Sequence, residues 1–206
     1  MGSRIRVSCA SLCRFEVGGK YLLLLNRNRR QKGLYELSPL GGAIQFYDET
    51  LPERFAMALE KNSAMELRFF TEVDNLGGFR EWFYRRIDRE CDPFREIREE
   101  LVEEEAILSD LQREDLSIAF RYIYEDRKPT QRQGVTDSLT QYYLEVFSVS
   151  VVSPHIATAL QQIDDSSGAA LLDEATARDA HHLEMHVDGE LHTVQLNTVP
   201  LFADPQ

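Results

Sequence analysis

The stretch Arg95-Glu96-Ile97-Arg98-Glu99-Glu100-Leu101 arranges three carboxylates of this chain at helical spacing. Glu96, Glu99 and Glu100 stand at i, i+3 and i+4, so a helix would direct all three from one stripe. Like charges at this spacing repel one another, and a hard divalent cation with oxygen ligands relieves that repulsion. The pattern predicts a Mg²⁺ or Mn²⁺ site for phosphoryl or pyrophosphate chemistry, with a solvated acidic helix face as the alternative.

The sequence before this stretch predicts a strand hairpin and an extended approach to the acidic helix. Residues 7–15 and 20–25 are apolar runs joined by Gly18-Gly19, which is a hairpin signal. Residues 33–44, Gly-Leu-Tyr-Glu-Leu-Ser-Pro-Leu-Gly-Gly-Ala-Ile, then end in a glycine pair and an apolar step. Asp92-Pro93 provides a helix start, and Phe94, Ile97 and Leu101 form the apolar stripe of the helix that follows.

With these parts in order, the chain resembles the Nudix hydrolase superfamily. Members carry a strand hairpin, an aromatic-x-(Leu)-Pro-Gly-Gly approach and a box written G-x5-E-x7-R-E-U-x-E-E-x-G-U, where U is aliphatic. Residues 95–101 match the second half of that box in register. The SMODS-associated Nudix domain is the branch with the same Tyr-x-x-x-Pro-x-Gly-Gly approach, long insertion and Trp-Phe plus Arg-Glu stretch. The resemblance covers about residues 4–150.

The chain also departs from the family box. Arg95 follows Gly42 by 53 positions where a continuous box has 14, so 39 residues are inserted and the box is split. Val102 and Glu103 occupy the positions of the second glycine and the following aliphatic residue. Ile87 stands where a continuous box would place its first Glu, and Glu49 lies near the family spacing but not at it. These departures leave open whether a protein with this split box is catalytic.

The resemblance implies an α/β/α Nudix sandwich with a mixed β-sheet in one domain over residues 1–206. We expect an inserted helical subdomain at about residues 45–90 and a C-terminal α-β extension at about residues 152–206. Both ends of the insertion flank the split box, so we expect it to form an ordered helical wall over the substrate cleft. Its apolar side chains are too many for a solvated loop, and a homodimer contact is a secondary expectation.

Individual elements are predicted outside the box. Residues 50–59 predict a short amphipathic helix, residues 65–71 a strand, and residues 74–78 a break before a helical stripe of Phe79, Trp82, Phe83 and Ile87. Two strands follow at 116–125 and 140–151, and helices at 157–163 and 169–180. Asp188-Gly189 joins a final hairpin.

The resemblance assigns roles to particular residues. Glu96, Glu99 and Glu100 would hold the metal, and Arg95 would brace the helix by pairing with a neighbouring carboxylate. Nudix enzymes often take a general base from a loop after the box helix, and Glu125 is preferred here over Asp126 and Asp137. Nucleotide contacts are expected from Gly41 and Gly42 and from the basic residues Arg27 and Arg29, which lie in a cluster with Arg30 and Lys32. A second cluster contains Arg127, Lys128 and Arg132, and solvated loops are the alternative for both.

Composition limits the function classes. A net charge of −12 argues against binding duplex nucleic acid, because phosphate backbones are held by many Lys and Arg side chains. No run approaches 18 apolar residues and no signal-peptide pattern opens the chain, so we expect a cytoplasmic protein without membrane contact. Three cysteines in such a protein predict reduced thiols.

The sequence therefore predicts a Mg²⁺- or Mn²⁺-dependent hydrolase that cleaves a phosphoanhydride in a nucleotide or nucleoside-diphosphate derivative. The branch resembled here is found beside nucleotidyltransferases of bacterial defence systems, which implies a role in nucleotide signalling or nucleotide metabolism during phage attack. A non-catalytic module that senses a nucleotide is the alternative, and a structural partner protein is a third possibility.

Overall fold

The computed structural model describes residues 3–61, 65–130, 138–164 and 168–203. The chain is a mixed α/β protein, with 28% helix, 43% strand and a mixed sheet, which confirms the predicted fold class. Its contacts divide it into two compact units. Unit 1 consists of Met1–Ser11, Gly42–Asp92 and Ile123–Glu145, and unit 2 consists of Leu12–Gly41, Pro93–Tyr122 and Val146–Gln206.

The secondary structure follows the chain in this order. The strands are β1 (Arg4–Val17), β2 (Lys20–Leu25), β3 (Glu36–Pro39), β4 (Ala58–Leu59), β5 (Arg68–Glu72), β6 (Leu116–Pro129), β7 (Leu139–Val151), β8 (Ala169–Leu172), β9 (His182–Val187) and β10 (Glu190–Leu196). The α-helices are α1 (Arg27–Arg30), α2 (Leu51–Arg54), α3 (Leu76–Arg85), α4 (Phe94–Arg98), α5 (Pro154–Gln161) and α6 (Glu174–Asp179). A π-helix covers Glu99–Glu104, and 3₁₀ turns cover Val73–Asn75, Arg113–Asp115 and Val199–Leu201.

Unit 2 contains the mixed part of the sheet. β2 pairs antiparallel with the end of β1, with β3 and with β8, whereas β10 pairs parallel with β3 and antiparallel with β9. The turn between β1 and β2 consists of Gly18 and Gly19, whose φ angles of 58° and 80° suit glycine. Leu22 and Leu24 of β2 pack in one core with Ile97 and Leu101 of the acidic helix, and this burial orients the helix.

Unit 1 contains an antiparallel β4-β5-β1 arrangement and the ten-residue helix α3. Phe79, Trp82 and Phe83 of α3 are buried in a core that also holds Phe55 and Tyr143. The side chains make tilted and edge-on ring contacts, which add to the energy of apolar burial. The large apolar side chains of the inserted residues 45–90 therefore contribute to a packed core, which a solvated loop would not do.

Unit 1 also buries an ionic group. Glu145 Oε1 lies 2.8 Å from both Arg86 Nε and Arg89 Nη2, and the side chains of Arg89 and Glu145 are 0% and 1% exposed. Arg89 also donates to the carbonyl oxygens of Phe83 and Glu90. A buried charge needs such partners, because an unpaired charge in the protein interior is very costly.

The structure corrects three secondary-structure predictions. The helix predicted for residues 50–59 ends at Arg54: Ala56 has a left-handed backbone with φ of 47°, and Leu59 lies in β4. The break predicted at 74–78 is instead a 3₁₀ turn followed by the start of α3. The helix predicted for residues 169–180 is strand β8 followed by the shorter helix α6.

Non-local packing explains these errors. Gly77 and Gly78 disfavour a helix locally, but burial of the α3 stripe outweighs this preference. Gly78 also fits closely, because a Cβ there would lie 3.4 Å from Cε1 of Phe55. The apolar sequence Ala169–Leu172 pairs with β2, a partner that is distant in the sequence.

Several predicted secondary-structure elements are confirmed within the described residues. The β1-β2 and β9-β10 hairpins, the strand near residue 70 and the two long strands after the acidic helix are all present. Cys9, Cys13 and Cys91 are free cysteines. The described part of the chain has no helix with the length and apolarity that crossing a membrane would need.

Candidate acidic site

The acidic helix begins with α4 near Pro93, as predicted, but its N-cap is Pro93 itself rather than Asp92. Ile97 and Leu101 are fully buried, so the opposite face carries the carboxylates. After Arg98 the α-helix continues as the π-helix Glu99–Glu104. The hydrogen bond from Glu105 N to Glu100 O, 3.0 Å long, has the i→i+5 pattern of such a helix.

Arg95 joins two of the predicted metal ligands. Its Nη1 lies 2.7 Å from Oε1 of Glu96 and 3.2 Å from Oε2 of Glu99. The two carboxylates differ in accessibility, because the side chain of Glu96 is 13% exposed and that of Glu99 is 42% exposed. Arg95 thus pairs with two carboxylates of its own helix, as the predicted bracing role requires. The bracing role itself stays a prediction.

Glu100 links the acidic helix to the glycine approach. The amide of Gly41 donates a hydrogen bond of 2.9 Å to Oε2 of Glu100. Gly41 has a φ of 137°, which side chains rarely permit, so glycine is needed there to present its amide. Gly42 belongs to unit 1, where its carbonyl oxygen accepts from the amide of Ser11.

The environment of Glu100 disfavours its negative charge. Burial raises the pKa of Glu100 to about 8, and the charges of Glu96, Glu104 and Glu105 raise it further, while the Gly41 amide opposes the shift. Glu100 is therefore a carboxyl group surrounded by acidic neighbours. A bound cation would favour its ionised form.

Glu104 and Glu105 are acidic neighbours that the box did not identify. The i→i+5 pattern winds more residues into each turn than an α-helix, so residues four and five beyond Glu100 follow it on the same side. In the sequence, these neighbours belong to the acidic run 103–105 that follows the box. The run lies on the side of Glu100 only because the helix has the π form there, and the side-chain spacing of an α-helix does not predict that form.

The chemistry of these donors fits a hard divalent cation, since carboxylate oxygens are the preferred ligands of Mg²⁺ and Mn²⁺. The positions of these carboxylates fit a metal site less well than their chemistry does. In the described ranges, no group of three or more His, Cys, Asp or Glu side chains is arranged to hold a metal ion. Glu96 and Glu99 are turned toward Arg95, so carboxylates would have to reorient around a cation.

The predicted anion-binding arginines pair with carboxylates of unit 2. Arg27 Nη1 lies 3.7 Å from Oε1 of Glu104, and Arg29 Nε lies 3.0 Å from Oε2 of Glu36. Asn26 begins α1 by accepting a hydrogen bond from the amide of Arg29. In the second basic cluster, Lys128 pairs with Asp126 and Arg127 donates to Gln141, while Arg132 is outside the described residues.

Glu125, the predicted general base, lies in unit 1 on β6. Its Oε1 accepts from Arg80 Nε at 2.7 Å and from the Tyr84 hydroxyl at 2.6 Å. Burial and the bond to Glu125 raise the pKa of Tyr84 to about 12, so Tyr84 is a neutral donor at physiological pH. Glu125 is thus held rigidly, as a base requires, but both observed partners are donors from its own unit. Asp137 is outside the described residues.

Fold and site together define a Nudix-type domain. It has a mixed sheet, a glycine approach, and an acidic helix whose Glu100 accepts a hydrogen bond from the Gly41 amide of that approach. The family model of the SMODS-associated NUDIX domain matches residues 4–196. The chain therefore belongs to this family, which confirms the resemblance and extends it beyond residue 150. No curated protein and no solved structure matches the chain significantly.

Proposed function

We propose that this domain is a metal-dependent Nudix-type hydrolase that cleaves a phosphoanhydride in a nucleotide or nucleoside-diphosphate derivative. The observation that supports this most strongly is Glu100. Its carboxyl group is held by the Gly41 amide, is buried, and lies among the charges of Glu96, Glu104 and Glu105. Burial and these neighbouring charges disfavour the ionised form of Glu100, and perturbed carboxyl groups are frequent at functional sites.

In this mechanism Glu96, Glu99 and Glu100 would hold Mg²⁺ or Mn²⁺. The bound cation would lower the pKa of the attacking water and neutralise charge on the leaving phosphate. Arg95 pairs with Glu96 and Glu99 in the metal-free protein, so these contacts would have to rearrange before both carboxylates could face a cation. Gly41 fixes one oxygen of Glu100 and leaves the other available.

We infer that a nucleotide-sensing module is the second candidate. Two observations favour it: Val102 replaces the box glycine, and the described carboxylates form no ready metal cluster. The family name associates the domain with SMODS proteins, and in either case we propose a role beside nucleotide signalling in a cytoplasmic bacterial defence system.

A nucleotide panel assay distinguishes the candidates. Purified protein is incubated with nucleoside triphosphates, dinucleoside polyphosphates and nucleoside-diphosphate sugars, with Mg²⁺, with Mn²⁺ or with EDTA, and products are resolved by chromatography. Cation-dependent release of a nucleoside monophosphate supports the hydrolase. Saturable binding without turnover supports the sensing module. Absence of both turnover and binding across the panel would reject both proposals.

A further inference from the structure

Residues 197–203 lie beyond the stretch that the family model matches, and they fold back onto unit 2. The hydroxyl group of Tyr122 donates hydrogen bonds to the carbonyl oxygens of Pro200 and Leu201, at 3.0 Å and 2.9 Å. Leu201 is buried in the same segment. These contacts anchor the chain directly before Phe202, the residue on which the inference depends.

The aromatic ring of Phe202 lies against two guanidinium groups and a tyrosine. The Cζ atoms of Arg14 and Arg178 are 4.8 Å and 5.0 Å from its centroid, which is the range of cation–π contacts. Tyr21 meets the same ring edge-on, with 5.5 Å between the ring centroids. We call Arg14, Tyr21 and Arg178 the ring site, and Phe202 is its occupant. All four residues belong to unit 2.

The two arginines of the ring site differ in their polar partners. Arg178 pairs with the carboxylate of Glu174 at 2.7 Å. Arg14 donates to the neutral hydroxyl of Tyr21 at 2.8 Å, and among the described residues it forms no ion pair. The Nε atom of Arg14 is buried and has no hydrogen-bond partner in the described part of the chain. Because a buried donor without an acceptor is costly, Arg14 favours a further acceptor or an anion.

The ring of Phe202 provides only part of what this site can bind. Its π face attracts the guanidinium groups, but it has no acceptor atom and no negative charge. A nucleoside phosphate has both features, because its base stacks on guanidinium planes and its phosphate accepts charge-assisted hydrogen bonds from arginine. The chain has a net charge of −12, so two neighbouring arginines form a local exception at which an anion can be held.

We propose that the ring site binds an aromatic anion of the nucleoside-phosphate class, and that Phe202 occupies this site in the free protein. The base takes the place of the Phe202 ring, and the phosphate pairs with Arg14. Phe202 follows the anchored Leu201, so its side chain can leave the site while the preceding residues stay docked. The inference goes beyond the proposed function, because the ring site contains no residue of the acidic helix and needs no metal.

Calorimetric titration with adenosine monophosphate in EDTA tests the proposal. Phe202→Ala should bind this probe about five- to thirtyfold more tightly than wild type, the factor that two lost cation–π contacts correspond to. The gain arises because the tethered ring no longer competes with the ligand. Phe202→Trp keeps an aromatic occupant and should bind no more tightly than wild type. Adenosine and inorganic phosphate should each bind Phe202→Ala more weakly than the nucleotide does.

Val199→Ala is the matched control. It also truncates an apolar side chain of the C-terminal segment, but Val199 is 60% exposed, and its loss should leave nucleotide affinity unchanged. Arg14→Gln, combined with Phe202→Ala, should remove the gain in affinity because the phosphate loses its partner. Glu100→Gln in the same background should leave the gain intact, which separates the ring site from the acidic site.

Equal affinity of wild type, Phe202→Ala and Val199→Ala for the nucleotide, or no binding by any of them, would overturn the inference. Adenosine or phosphate bound as tightly as the nucleotide would also overturn it, because the site is proposed to need both the ring and the anion. Circular dichroism establishes that each variant is folded. If Phe202→Ala does not fold, Phe202→Leu provides the same test with a smaller expected gain, since leucine keeps apolar burial but has no π face.

Discussion

The amide of Gly41 donates a 2.9 Å hydrogen bond to the carboxylate of Glu100, a residue 59 positions later in the sequence. This bond joins the halves of a motif that the insertion separates in the chain. The split therefore leaves one contact of the motif intact in unit 2. It also holds one oxygen of Glu100 through a backbone amide, whereas Glu99 pairs with the side chain of Arg95.

The first prediction concerns the ligands. Glu100→Gln should lower Mg²⁺-dependent turnover by at least about a hundredfold, because even second-shell changes at metal sites cost about 10- to 100-fold. Glu99→Gln should also reduce it, and calorimetric titration with Mn²⁺ should show weaker metal binding in both variants. Glu103→Gln serves as the control. Full turnover of both ligand variants at saturating Mg²⁺ would show that the metal assignment is wrong.

The second prediction concerns stability of the metal-free protein against pH. The pKa of Glu100 is raised from about 4.5 to about 8, so between these values the unfolded chain ionises while the folded chain keeps its proton. Stability from this group is therefore lost as pH rises from about 4.5 to about 8. In EDTA, Glu100→Gln should melt at a higher temperature than wild type at pH 8.5, and much closer to it at pH 4.5. A constant difference across this range would contradict the prediction.

The third prediction tests the backbone of Gly41. An alanine would be forced into φ near 137°, so Gly41→Ala should destabilise the protein by about 1–3 kcal/mol in urea denaturation. Gly77→Ala is a useful comparison, because Gly77 is helical and a Cβ there meets nothing within 4 Å. That substitution should be neutral or stabilising by up to about 1 kcal/mol. Equal effects of the two substitutions would mean that Gly41 is not conformationally required.

The fourth prediction concerns the buried ionic group of unit 1. Arg89→Met removes one of the two guanidinium partners of Glu145, and should destabilise the protein by about 3–5 kcal/mol. Arg68→Met breaks a pair with Glu66 whose side chains are 40% and 26% exposed, and should cost less than about 1 kcal/mol. Denaturation midpoints measured under identical conditions would test the contrast. Similar costs would show that burial of Arg89 has little energetic effect.

The fifth prediction concerns the general base. If Glu125 is the base, Glu125→Gln should slow turnover by about 10²- to 10⁴-fold at unchanged substrate affinity. Tyr84→Phe removes one hydrogen bond to Glu125 and should have a smaller effect. Steady-state rates of these variants, compared with Asp126→Asn, would identify the contributing group. Near-wild-type rates for Glu125→Gln would exclude it.

Local signals predicted the parts of this fold that local chemistry determines. Gly18-Gly19 predicted the first turn, and Pro93 with Ile97 and Leu101 predicted where the acidic helix starts and which face it buries. Ala169–Leu172 could not be recognised as a strand, because its partner β2 is about 150 residues away. Gly77-Gly78 led to the wrong prediction of a break for a similar reason, since α3 is stabilised by burial of its apolar side chains in the core of unit 1.

The candidate site was predictable in part. The carboxylate spacing located Glu96, Glu99 and Glu100 on one helix, and the glycine approach located Gly41. The π-helix that adds Glu104 and Glu105 was not predictable from spacing rules that assume 3.6 residues per turn. The predictions that residues 45–90 wall the substrate cleft, select the nucleotide and contribute to a homodimer remain predictions. A nucleotide-bound structure would test the first two, and sedimentation would test the third.

The aromatic core of unit 1 has a practical consequence. Trp82 is the only tryptophan of the sequence, is 3% exposed, and packs against Phe55 and Phe79. Its fluorescence is therefore an intrinsic reporter of unit 1, whereas unit 2 contributes tyrosines but no tryptophan. Emission changes on unfolding follow the Trp82 environment, and far-ultraviolet dichroism follows the whole chain. Coincidence or separation of the two transitions would establish whether the units melt as one cooperative structure.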